Sequence, residues 1–273
     1  EKTGGKLTFK IVWDGTLGSD SELTESCMAG SIDMVSEASS PLLSYIPEVA
    51  VFDMPMVYST SEQAYKGVAK FTDSFQTIFN KKGLQIAAMG FQNFRGLSTN
   101  TNIKSAADFK GMKIRTMENK YHMAFWSNLG ASPTPLAFSE LYLSLQQGLV
   151  DAQDNPITAV YSNKLYEVQK YYMKVTAFPF VNFLVINKDT YESLPSEYQA
   201  LVNEFAQNYM KASYEQNEKI EAEAFANVGS ALTVLDYTTD IQAAMKTAAE
   251  PVYKQIASDI GSELTDAYLA TAK

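Results

Sequence analysis

GMKIRTMENKYHMAFWSNLGASPTPLAFSELYLSLQQGLVDAQDNP (111–156) alternates two kinds of local signal. KIRT reads as a strand, Asn119 as the cap of a helix running to Gly130, PTP as a turn, and 139–148 as a second helix. Strand and helix in alternation imply a parallel or mixed sheet covered by helices, an α/β architecture. The same stretch sets one arginine, Arg115, among apolar residues and closes on a carboxamide, Asn155. A guanidinium stays charged, and its planar fork can hold a carboxylate through two parallel hydrogen bonds, which lysine cannot do. Arg115 is therefore a candidate anion clamp; the ordinary alternative is a surface or interdomain ion-pair residue.

Upstream, LTFKIVW (7–13) alternates like a strand, 20–30 reads as a short helix, and IDMVSE (32–37) and VAVFDMP (49–55) read as strands. Residues 61–80 form one amphipathic pattern that Gly83 closes before the strand LQIAAMGF. Downstream, VNFLVIN (181–187) is a buried strand. LPSEYQALVNEFAQNYM then opens a helix with Tyr198, Leu201, Val202, Phe205 and Tyr209 on one face. No breaker follows until Gly229, so a helix of about 33 residues, about 50 Å long, is expected as a strut between two lobes. ALTVLD is a strand, and helices cover about 239–260 and 262–271.

The chain's 273 residues suffice for two lobes or one large domain. A hydrophobic content of 46% with 12% aromatics is globular, and a net charge of −9 without a basic stripe argues against nucleic acid. Cys27 is the only cysteine, which excludes an intramolecular disulfide and multi-cysteine zinc sites; its spacing from Leu23 reads as inert helix packing. No apolar run reaches the roughly 18 residues of a membrane span, and EKTGGKL carries no signal-peptide core.

His122 is the sole histidine, so multi-histidine metal sites are excluded, and its apolar neighbours make it a packing histidine rather than a base. Phosphate-loop and dinucleotide motifs are absent, and no cofactor is expected. Acid pairs such as Asp151 with Asp154 read as solvated charge. Recognition remains: Arg95 in FQNFRGLS brings a second arginine toward the same region as Asn155, and Trp13, Phe138 and Phe178 are candidate pocket walls.

The chain resembles the solute receptors of tripartite ATP-independent periplasmic (TRAP) transporters over nearly its whole length. The resemblance is carried by Leu17, Gly18 and Asp20; GSIDM from Gly30; PEVAVFDMP from Pro47; FRGLS from Phe94; AADFKGMKIR from Ala106; the run from Gly130 to Pro156; and YEVQKYY from Tyr166. It implies an extracytoplasmic, monomeric, noncatalytic receptor with a two-lobe periplasmic-binding-protein-like fold. Such a receptor closes on a small organic acid and passes it to membrane permease subunits. Lobe I is expected over 1–93 plus about 181–220, and lobe II over 94–180 plus about 221–273. By the same resemblance Arg115 holds the ligand carboxylate, Asn155 orients it, Arg95 is the second arginine, Phe138 is an aromatic wall, and Asp20 and Glu118 face the ligand's other groups. Glu118 stands where sialic acid receptors carry asparagine, which suits a ligand hydroxyl or amine. Ala177 and Phe178 replace an Asn-His pair, which makes that wall more apolar and argues against a densely hydroxylated sugar acid. Relatives carry a strand and helix of roughly 30 residues before the segment matched by EKTGGKL; either the sequence is incomplete or the first lobe is altered. An enzyme on the same scaffold is the alternative class.

Overall fold

The computed structural model describes residues 2–13 and 15–272. One mixed sheet contains β1 (Met34–Ala38), β2 (Leu84–Thr99), β3 (Lys113–Thr116), β4 (Ser132–Pro135), β5 (Ala152–Asn155), β6 (Tyr171–Asn187) and β7 (Thr233–Leu235). The order is β1-β6-β2-β5-β3-β4, with β7 also on β6. The axis is the antiparallel pair β2 and β6, 16 and 17 residues long. β1 pairs with 182–186 at one end of β6, and β7 with 171–173 at the other, beside the end of β2 that pairs with β5. The β2–β6 register shifts three times, once within the end that also pairs with β1 (86–88) and twice toward the middle (91–93 and 95–97), and Pro179 lies opposite Phe94 between the latter two. Proline has no N–H for a ladder, so it is tolerated at such a bulged crossing.

Helices flank the sheet: α1 (Asp20–Met28), α2 (Ser39–Leu42), α3 (Ser61–Ala69), α4 (Thr72–Asn80), α5 (Lys120–Asn128), α6 (Leu141–Gln146), α7 (Ile157–Ser162), α8 (Lys188–Ser193), α9 (Ser196–Glu215), α10 (Asn217–Val228), α11 (Thr239–Ile260) and α12 (Ser262–Ala270). The expected α/β architecture is thus present. Among the described residues no helix is long and apolar enough to cross a membrane.

Several local expectations are corrected. VAVFDMP is not a strand: Pro47–Asp53 forms a 3-10 helix whose last five residues are all buried. An apolar run buried on every side carries no period by which a strand and a helix can be told apart. Residues 7–13 are not a strand either; their side chains are largely exposed, and Phe9 stacks on Phe205 of α9 with ring centroids 5.5 Å apart. A strand exists only by pairing, and no strand pairs with this segment among the described residues. The 61–80 helix divides at Phe71 into α3 and α4, and PTP is not a turn but part of β4, paired in parallel with β3.

The long strut divides at Gln216 into α9 and α10. The buried face of α9 is Val202, Ala206 and Met210, packed on Ala87, Ala88, Leu184 and Ile186 of the sheet, while Phe205 and Tyr209 are exposed. The four-residue spacing survives, but the stripe is rotated by one position, toward a patch that includes Ala87, Ala88 and Gly90, where a Cβ added to the glycine would lie 3.8 Å from Met210 Sδ. α10 packs instead with α6 and α7 through Ala224 and Val228. The two helices therefore cover opposite ends of the β2–β6 axis, and Asn93 Nδ2 donates to Asn217 Oδ1 at 3.1 Å where they meet.

Candidate functional site

β3 pairs in parallel with both β4 and β5, with Arg115 opposite Thr134 and Gln153. In such sheets the carboxyl ends of the strands open onto the ligand crevice. Here the residues leaving β3 (Met117, Glu118) and β4 (Leu136, Ala137, Phe138), together with Arg115, line a cleft of about 450 Å³. The first turn of α1 (Ser19 to Glu22) and residues Ser40, Pro41, Ser44 and Tyr45 complete it. That first turn is fixed by a capping box: Glu22 Oε2 accepts from the Ser19 N–H and hydroxyl, each at 2.8 Å. These bonds hold the Glu22 carboxyl below its ordinary pKa.

Arg115 is only 2% exposed. Its Nε and Nη2 donate to the Leu136 carbonyl at 3.0 and 2.7 Å, and the guanidinium lies 5.8 Å from the centre of the Phe138 ring. Nη1 is buried with no partner among the described residues. A guanidinium has five N–H groups, and the Leu136 carbonyl takes the Nε edge. What remains is the end-on Nη1/Nη2 edge, whose two outward N–H groups are parallel and match a carboxylate. Burial and neighbouring Arg95 lower the Arg115 pKa to about 10, while Asp154, Asp20 and Glu118 pull it up, so Arg115 is charged at neutral pH.

Behind Arg115 runs a buried polar chain. Arg95 Nε donates to Asp154 Oδ2 at 3.1 Å, a second Arg95 N–H donates to the Asp154 carbonyl, and both side chains are sealed from solvent. Burial alone would raise the Asp154 pKa, but Arg95, His122 and Arg115 overcome it and hold the carboxyl below its ordinary value. His122 lies flat on Phe178, ring centroids 3.8 Å apart, with Nδ1 3.9 Å from Asp154 and Nε2 3.3 Å from Asp53. Asp53 accepts from Ser39 at 2.9 Å and from Asn119 at 2.7 Å, and Asn119 also donates to Ser40 at 2.8 Å, on the cleft wall.

The structure brings Arg115, Glu118, Phe138 and Asp20 into one cleft. Arg95 and Asn155 stand behind it: Arg95 is committed to Asp154, and the Asn155 amide donates to Gln153 at 2.6 Å. Gly96 lies opposite Asn155, and a Cβ on it would overlap the Tyr172 hydroxyl, which donates to the Asn155 carbonyl at 3.2 Å. Phe178 and Ala177 are fully buried against the core and do not line the cleft, and Trp13 is exposed outside it. Asp154 is not solvated charge; it is the counter-ion of Arg95. His122 is buried as expected, but in a polar network. Ser40, Ser44, Tyr45 and the Leu136 carbonyl carried no signal in the sequence, because a serine or a backbone carbonyl acquires its role only from where the chain folds it.

Glu37 on β1 supports α1 from below and is 5% exposed. Its Oε2 is 2.6 Å from Thr24 Oγ1, which also reaches the Asp20 carbonyl at 3.1 Å. One hydroxyl proton cannot serve two acceptors, and a protonated Glu37 supplies the second. Burial pushes Glu37 up to about 8; the Thr24 bond opposes this, and the Asp20 charge adds to it. An acid raised on folding costs nothing below its unfolded pKa, and its penalty grows from there until pH passes the folded value. Glu37→Gln, neutral at every pH and still able to donate to Thr24, is expected to stabilise increasingly from about pH 5 to pH 8, by up to about 5 kcal/mol. Urea unfolding of both proteins at pH 5, 7 and 9 checks this; a difference that stays constant with pH would refute it.

A second cavity of about 300 Å³ lies between the β2–β6 crossing and the α9–α10 junction. Its one lysine, Lys174, is paired with Glu221 at 2.6 Å, so it offers an anion no free cation. The cleft at Arg115 is the candidate site.

The 2,3-diketo-L-gulonate-binding periplasmic protein YiaO of Escherichia coli strain K12 is 32% identical over 227 residues, 81% of this chain and 69% of that protein. Among solved structures, a TRAP periplasmic solute-binding protein of Desulfovibrio salexigens with bound orotic acid superposes with a TM-score of 0.92 at 25% identity, covering 99% of this chain and 89% of that one. Another, from Polaromonas sp. JS666 and bound to D-erythronate, has a TM-score of 0.90 at 28% identity, covering 98% and 89%. These relatives are binding proteins, which leaves the enzyme alternative without support. The family model for bacterial extracellular solute-binding protein, family 7, matches residues 1–259, and the chain belongs to that family.

Proposed function

We propose that this protein is an extracytoplasmic receptor that binds one small organic acid at Arg115 and delivers it to the membrane permease of a TRAP transporter. The relatives bind 2,3-diketo-L-gulonate, orotic acid and D-erythronate, all acids. The observation that carries the assignment here is Arg115 itself: a buried guanidinium lining the cleft, with its Nε edge taken by Leu136 and its Nη1 without a partner. Phe138 restricts the carboxylate to the plane of that edge. Arg95 and Asn155 act from behind, Arg95 by anchoring Asp154 and Asn155 by ending β5 beside the crossing, and Phe178 acts by seating His122.

Residues 1–93 with about 181–220 form one lobe, and 94–180 with about 221–273 the other, in the reading we favour. The register shifts at 91–93 and 95–97 of β2, which flank those boundaries, and the break at Gln216 support a bend there. Closure over the acid then adds contacts from α1 and the Ser40 to Tyr45 segment to those of Arg115. Isothermal calorimetry against mono- and dicarboxylates, keto acids, sugar acids and amino acids tests the function: saturable one-to-one binding is expected, and silence from every acid would count against it. Small-angle scattering with and without the binder tests closure, with a monomer that shrinks as the expected result.

A further inference from the structure

The cleft's charges do not suit a simple anion. Arg115 is its one cation, yet Asp20, Glu22 and Glu118 line it too. Glu22 is spent on the Ser19 cap. Asp20 and Glu118, both solvent-accessible, are in no side-chain hydrogen bond or ion pair among the described residues. Crowding in the cleft together with Glu118 raises the Asp20 carboxyl against the pull of Arg115, and both acids favour the charge on Arg115. Two unneutralised carboxylates thus stand within electrostatic reach of the guanidinium, whose Nη1 is itself buried and unpartnered. An acid bringing only negative charge gains at Arg115 and loses at Asp20 and Glu118. A molecule that also carries a cation gains at both.

Resting on the carboxylate-receptor reading above, we infer that the ligand is a zwitterion: a small carboxylate bearing a cationic nitrogen, with the carboxylate on Arg115 and the nitrogen between Asp20 and Glu118. Asp20, Glu118 and Arg115 line the same small cleft, which places the nitrogen a few bonds from the carboxylate. Ser40, Ser44 and Tyr45 add hydroxyl groups for hydrogen bonds but no counter-charge. A hydroxy acid of the same skeleton would bond to them as well, yet leave both carboxylates uncompensated. Selectivity for nitrogen over oxygen is thereby assigned to Asp20 and Glu118, and affinity for the acid to Arg115.

The test is a set of matched pairs measured by calorimetry at pH 7: alanine with lactate, β-alanine with 3-hydroxypropanoate, 4-aminobutanoate with 4-hydroxybutanoate, and proline with tetrahydrofuran-2-carboxylate. At least one nitrogen member is expected to bind tenfold or more tightly than its oxygen partner. Asp20→Asn combined with Glu118→Gln should bring that ratio close to one, and Arg115→Ala should remove binding of both members. Both acids are on the surface of the cleft, so circular dichroism should find the double variant folded. Equal or tighter binding of every oxygen partner overturns the inference, as does a nitrogen preference that survives the double variant. Oxygen acids that bind in an Arg115-dependent way and at least as tightly as their nitrogen partners would sink the zwitterion alone; silence from all eight compounds and from the wider panel of acids would sink the receptor reading with it.

Discussion

Arg115→Ala is expected to weaken binding of the cognate acid by roughly 30-fold or more, since truncating one partner of a buried, hydrogen-bonded charge pair costs about 2–5 kcal/mol. The magnitude follows from where the guanidinium sits. It is almost wholly buried, Phe138 covers one face, and its Nε edge is already satisfied by Leu136. Everything the ligand uses therefore comes from the Nη1/Nη2 edge. Arg115→Lys keeps a charge but has no second edge: its ammonium must choose between Leu136 and the ligand, and it should recover only part of the loss. Calorimetry on the three proteins decides the matter. Unchanged affinity in Arg115→Ala would end the assignment, and full rescue by lysine would replace a shaped clamp with a point charge.

Asp154→Asn is expected to lower stability by about 3–5 kcal/mol, on the order of 10 °C in melting temperature for a chain of this size. The asparagine can still accept from Arg95, so the loss isolates charge. Arg95, which disfavours the charge of Arg115, and Arg115 would then share a buried region without their common counter-ion. The wild type should also lose this contribution in acid. A carboxyl depressed on folding stabilises above its unfolded pKa, and that stability is lost as pH falls through the depressed native value. The variant has no such step. Replacing the pair with apolar residues, Arg95→Met with Asp154→Leu, should cost much less than the sum of the single changes. Thermal unfolding of the four proteins gives the coupling, and additive losses would mean that the ion pair carries no net weight.

Much of the fold was legible because α/β segments declare their period. The 181–187 part of β6, α11 and the cap of α5 at Asn119 lie where pattern and capping chemistry put them, while β6 begins ten residues earlier, at Tyr171. The misses share one cause. Residues 47–53 and 7–13 are apolar segments whose state depends on what surrounds them, and α9 turned its stripe to meet a flat patch of small side chains. Local sequence cannot encode a neighbour that arrives from elsewhere in the chain.

The site divides the same way. Arg115 was legible as an arginine set among apolar residues, Phe138 as a candidate wall, and Asp20 and Glu118 only through the family resemblance; the four share the cleft. Arg95 and Phe178 were read by residue type as ligand contacts, but folding turned one into the partner of Asp154 and the other into the platform under His122. By itself the sequence determined the architecture, the membership of the family and the presence of one arginine suited to a carboxylate, since these rest on periodicity and ordered motifs. Only the tertiary structure decided which charges remain uncompensated. Neutralisation is a matter of a few ångströms between residues far apart in the chain: it removed Arg95 from the cleft, left Asp20 and Glu118 within it, and set the kind of molecule this cleft can hold.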